Sequence, residues 1–327
     1  MVNNKQKEPA QHVIIDAVFT WVNGSDSKHV AKRLHYLDDL EKPGTLAIAA
    51  TSTRFQQSGE LWYSVRLARK HAPWLRKIHI VTDSQTPSWL TEEIARDLDI
   101  NLVDHKEIFQ GFEDYLPTFN SRTIEAVLYR IPGLSEHFIY LNDDFFIIKP
   151  VQPGEYFLDG MPLIRGRWTW KNRYLAFLER NARTILGKGK GLPGLVGLRS
   201  EMNLLGSTRY FRLAHAPYVV KRSTFSQYFK DEDFLRSVIQ YRFRNQNQIW
   251  PIGYYANRAL REKKAKDKKT DWEYLWPEFP AKKVSVFLDN IEKDVVVKHL
   301  CIQSLDMFPE DLRDLCLGFI SGISEKE

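Results

Sequence analysis

Two adjacent carboxylates interrupt an otherwise apolar segment of this sequence. Asn142, Asp143 and Asp144 stand between the largely apolar residues 138–141 and 145–148, a run that is typical of a buried β-strand. Burying two neighbouring carboxylates is costly unless a cation, a proton or hydrogen-bond donors compensate them. We therefore expect Asp143 and Asp144 to do chemistry. The alternative is a tight turn in which Asn142 and Asp143 bond to backbone groups.

Four further segments carry side chains suited to chemistry. Residues 20–26 follow a predicted strand, and their Asn, Gly, Ser and Asp residues could bind a ribose, a base or a phosphate-bound metal, or could simply form a turn and a helix cap. Glu125 stands three residues after Arg122 on a predicted helix, where the simple alternative is an exposed ion pair.

His215 and Arg244 complete this set. His215 precedes the rigid Ala216-Pro217 segment, and a histidine there suits either a general base or a structural role. Arg244 lies in the amide-rich residues 241–248. It could bind a phosphate in bidentate fashion or could belong to a solvated helix end.

The carboxylate pair constrains the elements around it. Adjacent strand residues point to opposite faces, so a strand whose two carboxylates serve one site must end there. In open α/β sheets ligands bind at that carboxyl edge. The alternation of elements predicts an α/β, Rossmann-like fold with a mostly parallel sheet and helices on both faces. The sequence predicts strands over 14–21, 77–82, 100–103, 138–148, 283–288 and 295–301, and helices over 58–70, 87–98, 122–130, 223–244 and 309–322.

The composition favours a globular protein with acidic partners. The 327 residues are 43% hydrophobic, carry a net charge of +6 and have a sequence pI near 9.1, which suits nucleotides, phosphorylated glycans, nucleic acid or anionic lipid. Much of the excess lies in two basic stretches, 164–191 and 263–269. The first interleaves its cations with aromatic residues, as sugar, phosphate and nucleic-acid sites do. The second has a solvated face as its simple explanation.

The location of the protein follows from what the sequence lacks. No run of 18 apolar residues occurs and the first ten residues are polar, so we expect a cytoplasmic protein, with any membrane contact peripheral and at the inner face. Cys301 and Cys316 are too few for a disulfide framework or a thiolate metal site, and we expect both to be buried.

Taken together, the motifs resemble the Stealth family of sugar-phosphate transferases, which includes bacterial capsule polymerases and the catalytic subunit of GlcNAc-1-phosphotransferase. Four blocks in order carry the resemblance, and the second is highly specific. The blocks comprise residues 15–26; then 54–55, 59–64, 71–74, 80–82, 87–90, 116–121 and 140–146; then 215–218 through 244; and finally 298–302.

The resemblance implies a glycosyltransferase-A-like form of the fold and a specific reaction. The enzyme would transfer a hexose-1-phosphate, with GlcNAc-1-phosphate expected, from a UDP-sugar to a hydroxyl of a glycan or phosphoglycan, release UMP and use Mg²⁺ or Mn²⁺. The setting would be capsular or surface polysaccharide synthesis.

The same resemblance assigns roles to the candidate residues. His215 would be the general base, with Asp144 as the alternative base, and Arg244 would stabilise the transferring phosphate. Asp143 or Asp144 would hold the metal, and Glu125 would complete the active site. The residues assigned to the nucleotide sugar are Asn23, Gly24, Ser25, Asp26, Arg54 and Asn120.

Two departures from the family pattern concern metal contacts. The family often has an acid where this chain has Gln248, and an Asn-Asp pair where it has Gln303-Ser304. The number of metal contacts is therefore open.

We expect a polar tail over 1–12, a catalytic domain over 13–305 and a C-terminal helix over 306–327. Within the domain, about 13–150 would bind the nucleotide sugar, and about 151–305 would supply the acceptor, lid and catalytic half. Two rival functions are a glycosyltransferase that transfers the sugar alone and releases UDP, and a non-catalytic glycan- or nucleic-acid-binding protein. We expect no nucleic-acid partner, because pure binding leaves the buried carboxylates and His215 without a purpose.

Overall fold

The computed structural model describes residues 13–40, 45, 59–170, 204–206 and 209–326. Its helices are α1 Ser27–His35, α2 Glu60–His71, α3 Glu92–Asp97, α4 His105–Ile108, α5 Ser121–Glu125, α6 Arg222–Tyr228, α7 Glu232–Ile239, α8 Pro251–Arg261, α9 Val284–Lys293 and α10 Glu310–Glu325. Its strands are β1 Ile15–Thr20, β2 Ile78–Thr82, β3 Ile100–Asp104, β4 His137–Asn142, β5 Phe145–Ile147, β6 Phe157–Leu158, β7 Met161–Trp170, β8 Arg209–Leu213, β9 Tyr218–Lys221, β10 Lys266–Lys268, β11 Trp272–Leu275 and β12 His299–Ile302.

A five-stranded sheet in the order β3-β2-β1-β4-β9 forms the centre of the fold. The first four strands are parallel, and β9 joins the edge antiparallel to β4. Strands β1 and β2 are buried along nearly their whole length, which explains their continuous apolar sequence. Because the four parallel strands share a direction, the residues that follow β1, β3 and β4 meet at one edge. The α/β class and the mostly parallel sheet are confirmed.

The predicted strand over 138–148 is broken at the carboxylates. Strand β4 ends at Asn142, the chain turns through Asp143 and Asp144, and β5 leaves in a second, three-stranded sheet with the order β11-β12-β5. Strand β12 pairs antiparallel with β5. The carboxyl pair therefore lies at the junction of two sheets.

A third sheet is built around the long strand β7, which pairs with β6, β8 and β10. At Gly166 the backbone has φ of 150°, and an added Cβ would lie 2.2 Å from the carbonyl oxygen of Arg212 on β8. Only glycine permits this close approach of the two strands.

Several predicted elements differ from the structure. The predicted strand over 283–288 is wrong, because these residues begin helix α9, which buries Val284, Leu288 and Ile291 at helical spacing. The predicted helix over 223–244 is two helices, α6 and α7, and the second has Asp231 as its N-cap. The helix predicted from residue 309 is confirmed as α10.

Two predictions fall largely on residues that are not described. Of the basic aromatic stretch 164–191, the structure describes only residues 164–170, in strand β7, and residues 171–191 lie outside the described residues. The glycine-rich part of the expected lid, 180–207, is described only at 204–206. The proposed division of the chain into two halves stays a prediction.

Among the described residues, no helix combines the length and apolar character that a bilayer crossing requires. Cys301 and Cys316 are both buried and unpaired, as predicted.

Candidate functional site

A cleft of about 200 Å³ opens at the carboxyl edge of the central sheet. The residues that follow β1 and β4 form its floor, helices α1, α4 and α5 contribute walls, and Arg244 closes one side. The lining residues are Thr20, Trp21, Val22, His29, His105, Thr118, Phe119, Asn120, Ser121, Ile124, Asn142, Asp143, Asp144 and Arg244. Of the residues predicted for the site, Asn120, Asp143, Asp144 and Arg244 thus line one cavity.

The carboxylate pair is half-buried at the junction of β4 and β5. The backbone amide of Ile302 in β12 donates to the carbonyl oxygen of Asp144 at 3.1 Å, and the thiol of Cys301 lies 3.7 Å from Asp144 Oδ2. Burial raises the pKa of Asp143 to about 6. Burial, together with the charges of Asp143 and Glu60, raises the pKa of Asp144 well above its ordinary value. The turn therefore concentrates negative charge that a cation would stabilise.

Glu125 faces the same region from helix α5. It is buried, and the Tyr140 hydroxyl is its hydrogen-bond donor at 3.5 Å. Burial raises the pKa of Glu125 to about 7, against the opposing influence of the Arg244 and Arg122 guanidinium groups. The alternative of an exposed Glu125 is wrong, because its side chain is buried.

Arg244 is held at the mouth of the cleft. Its Nη2 donates to Ser121 Oγ at 2.6 Å, and its charge acts on both Glu125 and Asp144. Its Nε has no hydrogen-bond partner among the described residues. A half-buried guanidinium with donors to spare, next to a group of carboxyl residues, suits an anionic ligand.

Asn120 and Gln248 lock the Arg244 segment onto helix α5. The Asn120 side chain caps α5 by accepting from the Arg122 amide at 3.2 Å and donates to Gln248 Oε1 at 2.8 Å. Gln248 is fully buried, and its Nε2 donates to Thr123 Oγ1 and to the Val238 carbonyl, each at 3.0 Å. A carboxylate could not donate these two bonds. The glutamine at this family departure therefore has a structural role in this chain.

His215 does not line the cleft. Its ring stacks on Tyr274 with centroids 4.3 Å apart and lies 6.5 Å from the ring of Phe145, the residue after Asp144. Burial, reinforced by the charge of Arg212, lowers its pKa to about 4, so the imidazole is neutral at pH 7. The base role of His215 stays a prediction.

Residues 23–26 form the turn that follows the cleft floor. Asn23 Oδ1 accepts from the Ser25 amide at 3.0 Å, and Asp26 Oδ1 accepts from the His29 amide at 2.9 Å as the N-cap of α1. None of Asn23, Gly24, Ser25 and Asp26 lines the cleft, although Thr20, Trp21 and Val22 before them do. Arg54 lies outside the described residues. Nucleotide binding by these five residues stays a prediction.

Sequence reasoning missed the far wall of the cleft. His29 and His105 line it, and His29 Nδ1 lies 3.2 Å from Asp83 Oδ2. His105 follows β3 just as Asp143 follows β4, so the shared edge of the two strands was the available signal.

The residues present fit a divalent cation at the carboxylate end. Asp144 Oδ1 is buried without a hydrogen-bond partner among the described residues, and Asp143 stands beside it. Over those same residues no group of three His, Cys, Asp or Glu side chains could hold a metal ion. An ion here would be bound by one or two carboxylates and completed by other oxygen ligands, as Mg²⁺ commonly is when it binds with phosphates.

The fold and cleft define an α/β protein with an acidic and cationic site at the carboxyl edge of its parallel sheet. Residues 15–41 match Stealth protein conserved region 1, and residues 54–163 match conserved region 2. The chain belongs to the Stealth family, as its motifs predicted.

The chain is similar in sequence to several curated proteins. The chain is 38% identical over 257 residues to a capsular polysaccharide phosphotransferase of Haemophilus influenzae, covering 75% of this chain and 65% of the relative. It is 46% identical over 152 residues to one of Actinobacillus pleuropneumoniae, covering 46% of this chain and 40% of the relative. An exopolysaccharide phosphotransferase of Streptomyces coelicolor is 37% identical over 214 residues, covering 65% of this chain and 34% of the relative. The chain therefore spans less than two thirds of each.

Among solved structures, the galactosyltransferase LgtC in complex with donor and acceptor sugar analogs aligns over 94% of this chain and 95% of its own, with 11% identity and a TM-score of 0.43. Mouse xyloside xylosyltransferase 1 aligns over 89% of this chain and 97% of its own, with 12% identity and a TM-score of 0.36.

Proposed function

We propose that this protein is a sugar-phosphate transferase of capsular or surface polysaccharide synthesis. It transfers a hexose-1-phosphate from a UDP-sugar to a hydroxyl of a glycan, forms a phosphodiester and releases UMP. The observation that carries the proposal is the half-buried Asp143–Asp144 turn facing Arg244 across one cleft. The capsular polysaccharide phosphotransferases at 38% and 46% identity support it.

The charges of the cleft suit a transferring phosphate. Attack on a sugar pyrophosphate spreads negative charge over the non-bridging oxygens, and that charge must be stabilised for the P–O bond to break. Arg244 supplies a guanidinium that Ser121 already orients. The nearby Glu125 has a pKa of about 7. At neutral pH it is therefore only partly ionised, and it balances only part of the positive charge of Arg244.

Mg²⁺ or Mn²⁺ is the proposed cofactor, and Asp143 and Asp144 would hold it. When bound, it would supply a positive charge that polarises phosphoryl oxygens. Asp144 Oδ1, which has no hydrogen-bond partner within the described part of the chain, would be a ligand atom. The Ile302 amide holds the backbone carbonyl of Asp144, and the Cys301 thiol lies 3.7 Å from the other carboxylate oxygen, Oδ2.

Deprotonation of the attacking hydroxyl has two candidate bases. His215 is neutral at pH 7, but its pKa of about 4 makes it a weak base while the protein is unliganded. Asp144 lies in the cleft and has a raised pKa. We favour His215, because Asp144 is engaged as a metal ligand in this proposal. If His215→Ala kept near-wild-type turnover, the base would move to Asp144.

The test is product analysis with UDP-GlcNAc, Mg²⁺ and short phosphoglycan acceptors. The proposal predicts UMP together with an acceptor mass gain of one sugar-phosphate, and neither product with Asp144→Asn. UDP with a gain of sugar alone would instead identify a glycosyltransferase that leaves the phosphate behind. If UDP-GlcNAc fails, the same assay with other UDP-hexoses separates a wrong sugar from a wrong reaction. No UMP with any UDP-hexose would contradict the proposal.

Peripheral membrane contact through the basic stretch is a secondary proposal. Within 263–269, Lys264 pairs with Glu262 and Lys268 pairs with Asp271, whereas the side chains of Lys263, Lys266 and Lys269 are exposed. These three would contact anionic lipid. Unchanged binding to phosphatidylserine vesicles after Lys→Ser replacement of all three would contradict it.

A further inference from the structure

Three side chains of the cleft carry polar atoms with no hydrogen-bond partner among the described residues. They are the indole Nε1 of Trp21, the hydroxyl of Thr118 and both ring nitrogens of His105. All three residues are at least nine-tenths buried, with exposed fractions of 8%, 2% and 1%. Buried polar groups in folded proteins are nearly always paired. Unpaired groups that line a cavity therefore indicate a ligand with matching polar atoms.

His105 lies at the opposite end of the cleft from the carboxylates. His105 follows β3, Asp143 follows β4, and two strands separate β3 from β4 in the sheet. Three strand spacings amount to about 14 Å. The backbone amide of Trp21 bonds to Val81 of β2, which puts Trp21 between the two ends of the cleft.

The two ends differ in charge. Asp143, Asp144 and Arg244 make one end suitable for phosphates, as proposed above. At the other end burial lowers the pKa of His105 to about 4, so its ring is neutral and offers one donor and one acceptor. The edge of the His29 ring packs on Phe119 with centroids 5.4 Å apart, and Phe119 also lines the cleft. The side chains that line this end are the rings of His29, His105 and Phe119, and the Asp83–Lys32 ion pair lies behind His29.

We propose that Trp21, Thr118 and His105 form the nucleobase subsite of the donor and that they recognise uracil. The inference rests on the proposed function, since it takes the phosphates to lie at the carboxylate end. Uracil presents two carbonyl acceptors on either side of one N–H donor. The Trp21 indole and the Thr118 hydroxyl can donate to the carbonyls, while the neutral His105 ring can accept from the N–H. The assignment moves base recognition from residues 23–26 to Trp21, just before that turn, and to His105 and Thr118 from other segments of the chain.

Calorimetric titration with UDP, CDP and inorganic pyrophosphate in Mg²⁺ tests this subsite. We expect the wild type to bind UDP about tenfold or more tightly than CDP, because cytosine reverses part of the donor and acceptor pattern. His105→Leu should weaken UDP binding by about tenfold or more and leave pyrophosphate binding within about twofold. His105→Gln, which keeps a donor and an acceptor, should restore most of the lost UDP affinity.

Matched variants separate recognition from folding. The control is His71→Leu. His71 is also buried, with 8% of its surface exposed, but it does not line the cleft, so this variant should leave UDP affinity unchanged. If His105→Leu does not fold, Thr118→Val removes a hydroxyl at nearly constant shape, and Trp21→Phe removes the indole N–H together with part of the ring volume. Each should weaken UDP binding selectively.

The outcomes distinguish the two proposals. If folded His105→Leu, or both Trp21→Phe and Thr118→Val, bind UDP as tightly as the wild type does, the subsite proposal is overturned. UMP release in the product assay would still support the proposed function in that case. An equal loss of UDP and pyrophosphate binding would also overturn it, because the variant would then disturb the whole cleft. A wild type that binds pyrophosphate but not UDP would overturn the subsite and the UDP-sugar donor together.

Discussion

Two buried polar clusters of this molecule contrast in how their charges are compensated. One joins strands β7 and β12, where Arg165 donates to both oxygens of the Asp271 carboxylate at 2.8 and 3.0 Å. His299 and Lys268 also contact Asp271, and the Tyr156 hydroxyl lies 2.8 Å from His299 Nε2. The other is the cleft, where Asp144 Oδ1, Arg244 Nε and His105 have no hydrogen-bond partners in the described part of the chain.

The pKa values of the acidic side chains differ between the two clusters in the same way. Although burial alone would raise it, hydrogen bonds from His299 and Arg165 hold the pKa of Asp271 well below its usual range. In the cleft and in the buried region behind it, burial raises the pKa of Asp143, Asp144 and Glu125. The first cluster stabilises the fold, whereas the second keeps polar groups available for a ligand at a cost in stability.

The largest expected effect comes from Asp144→Asn, which keeps the shape and removes the charge. Turnover should fall about 1000-fold or more, or roughly 4 kcal/mol in activation free energy, because the proposed metal loses a ligand. The free energy of unfolding at pH 8 should be unchanged or higher, since the variant lacks the carboxylate that Asp143 and Glu60 repel. Product formation and urea unfolding measure the two halves of this prediction. A large loss of stability would show that Asp144 holds the fold.

Asp271→Asn should have the opposite signature. It leaves the buried Arg165 without its counter-charge and should lower the free energy of unfolding by about 3–5 kcal/mol. The wild type's advantage should shrink as pH falls below about 3.8, the ordinary pKa of this carboxyl, because the unfolded state then takes up a proton at Asp271 that the folded state does not bind. Urea unfolding measures it, with the exposed neighbour Asp267→Asn as control. Equal destabilisation by both variants would refute the role of the pair.

Glu125→Gln tests the cleft through pH. The folded pKa of about 7 exceeds the ordinary 4.5, so the folded state binds more protons between these values and wild-type stability falls as pH rises through them. The shift corresponds to roughly 3 kcal/mol at most. The variant should therefore match the wild type near pH 4 and be more stable at pH 8. Parallel stability curves over this pH range would contradict a raised pKa.

The smallest effects separate two lysines of one strand. Lys268 contacts Asp271 at 2.6 Å and is 23% exposed, whereas Lys266 is exposed at the start of β10. Lys268→Met should lower stability by about 1 kcal/mol, and Lys266→Met by less than about 0.5 kcal/mol. Thermal unfolding at low and high salt compares them. If both variants behave alike, Lys268 adds nothing to the cluster.

The sequence predicted the carboxylate end of the site because its signal is local. Two aspartates inside an apolar run require compensation wherever the strand lies, and the structure ends β4 at Asn142 as expected. The alternation of strands and helices predicted the parallel sheet for the same reason.

The remaining features depend on long-range geometry. His105 gave no local signal, and it shares a cleft with Asp144 only because β3 and β4 end at one edge. Residues 284–288 read as Val-Ser-Val-Phe-Leu, which alternates well enough for a strand. The same residues place Val284 and Leu288 one helical turn apart, and packing against the C-terminal core selects the helix.

The pairing of β12 with β5 has a consequence for biosynthesis. The backbone of Ile302 and the side chain of Cys301 hold the turn that carries Asp144, yet more than 150 residues of chain separate them from it. The central strands β1 to β4 can associate as they leave the ribosome, but the turn acquires its final support only once residue 302 has emerged. A nascent chain would therefore hold a folded sheet with an unfinished cleft, and would complete that cleft only late in its synthesis.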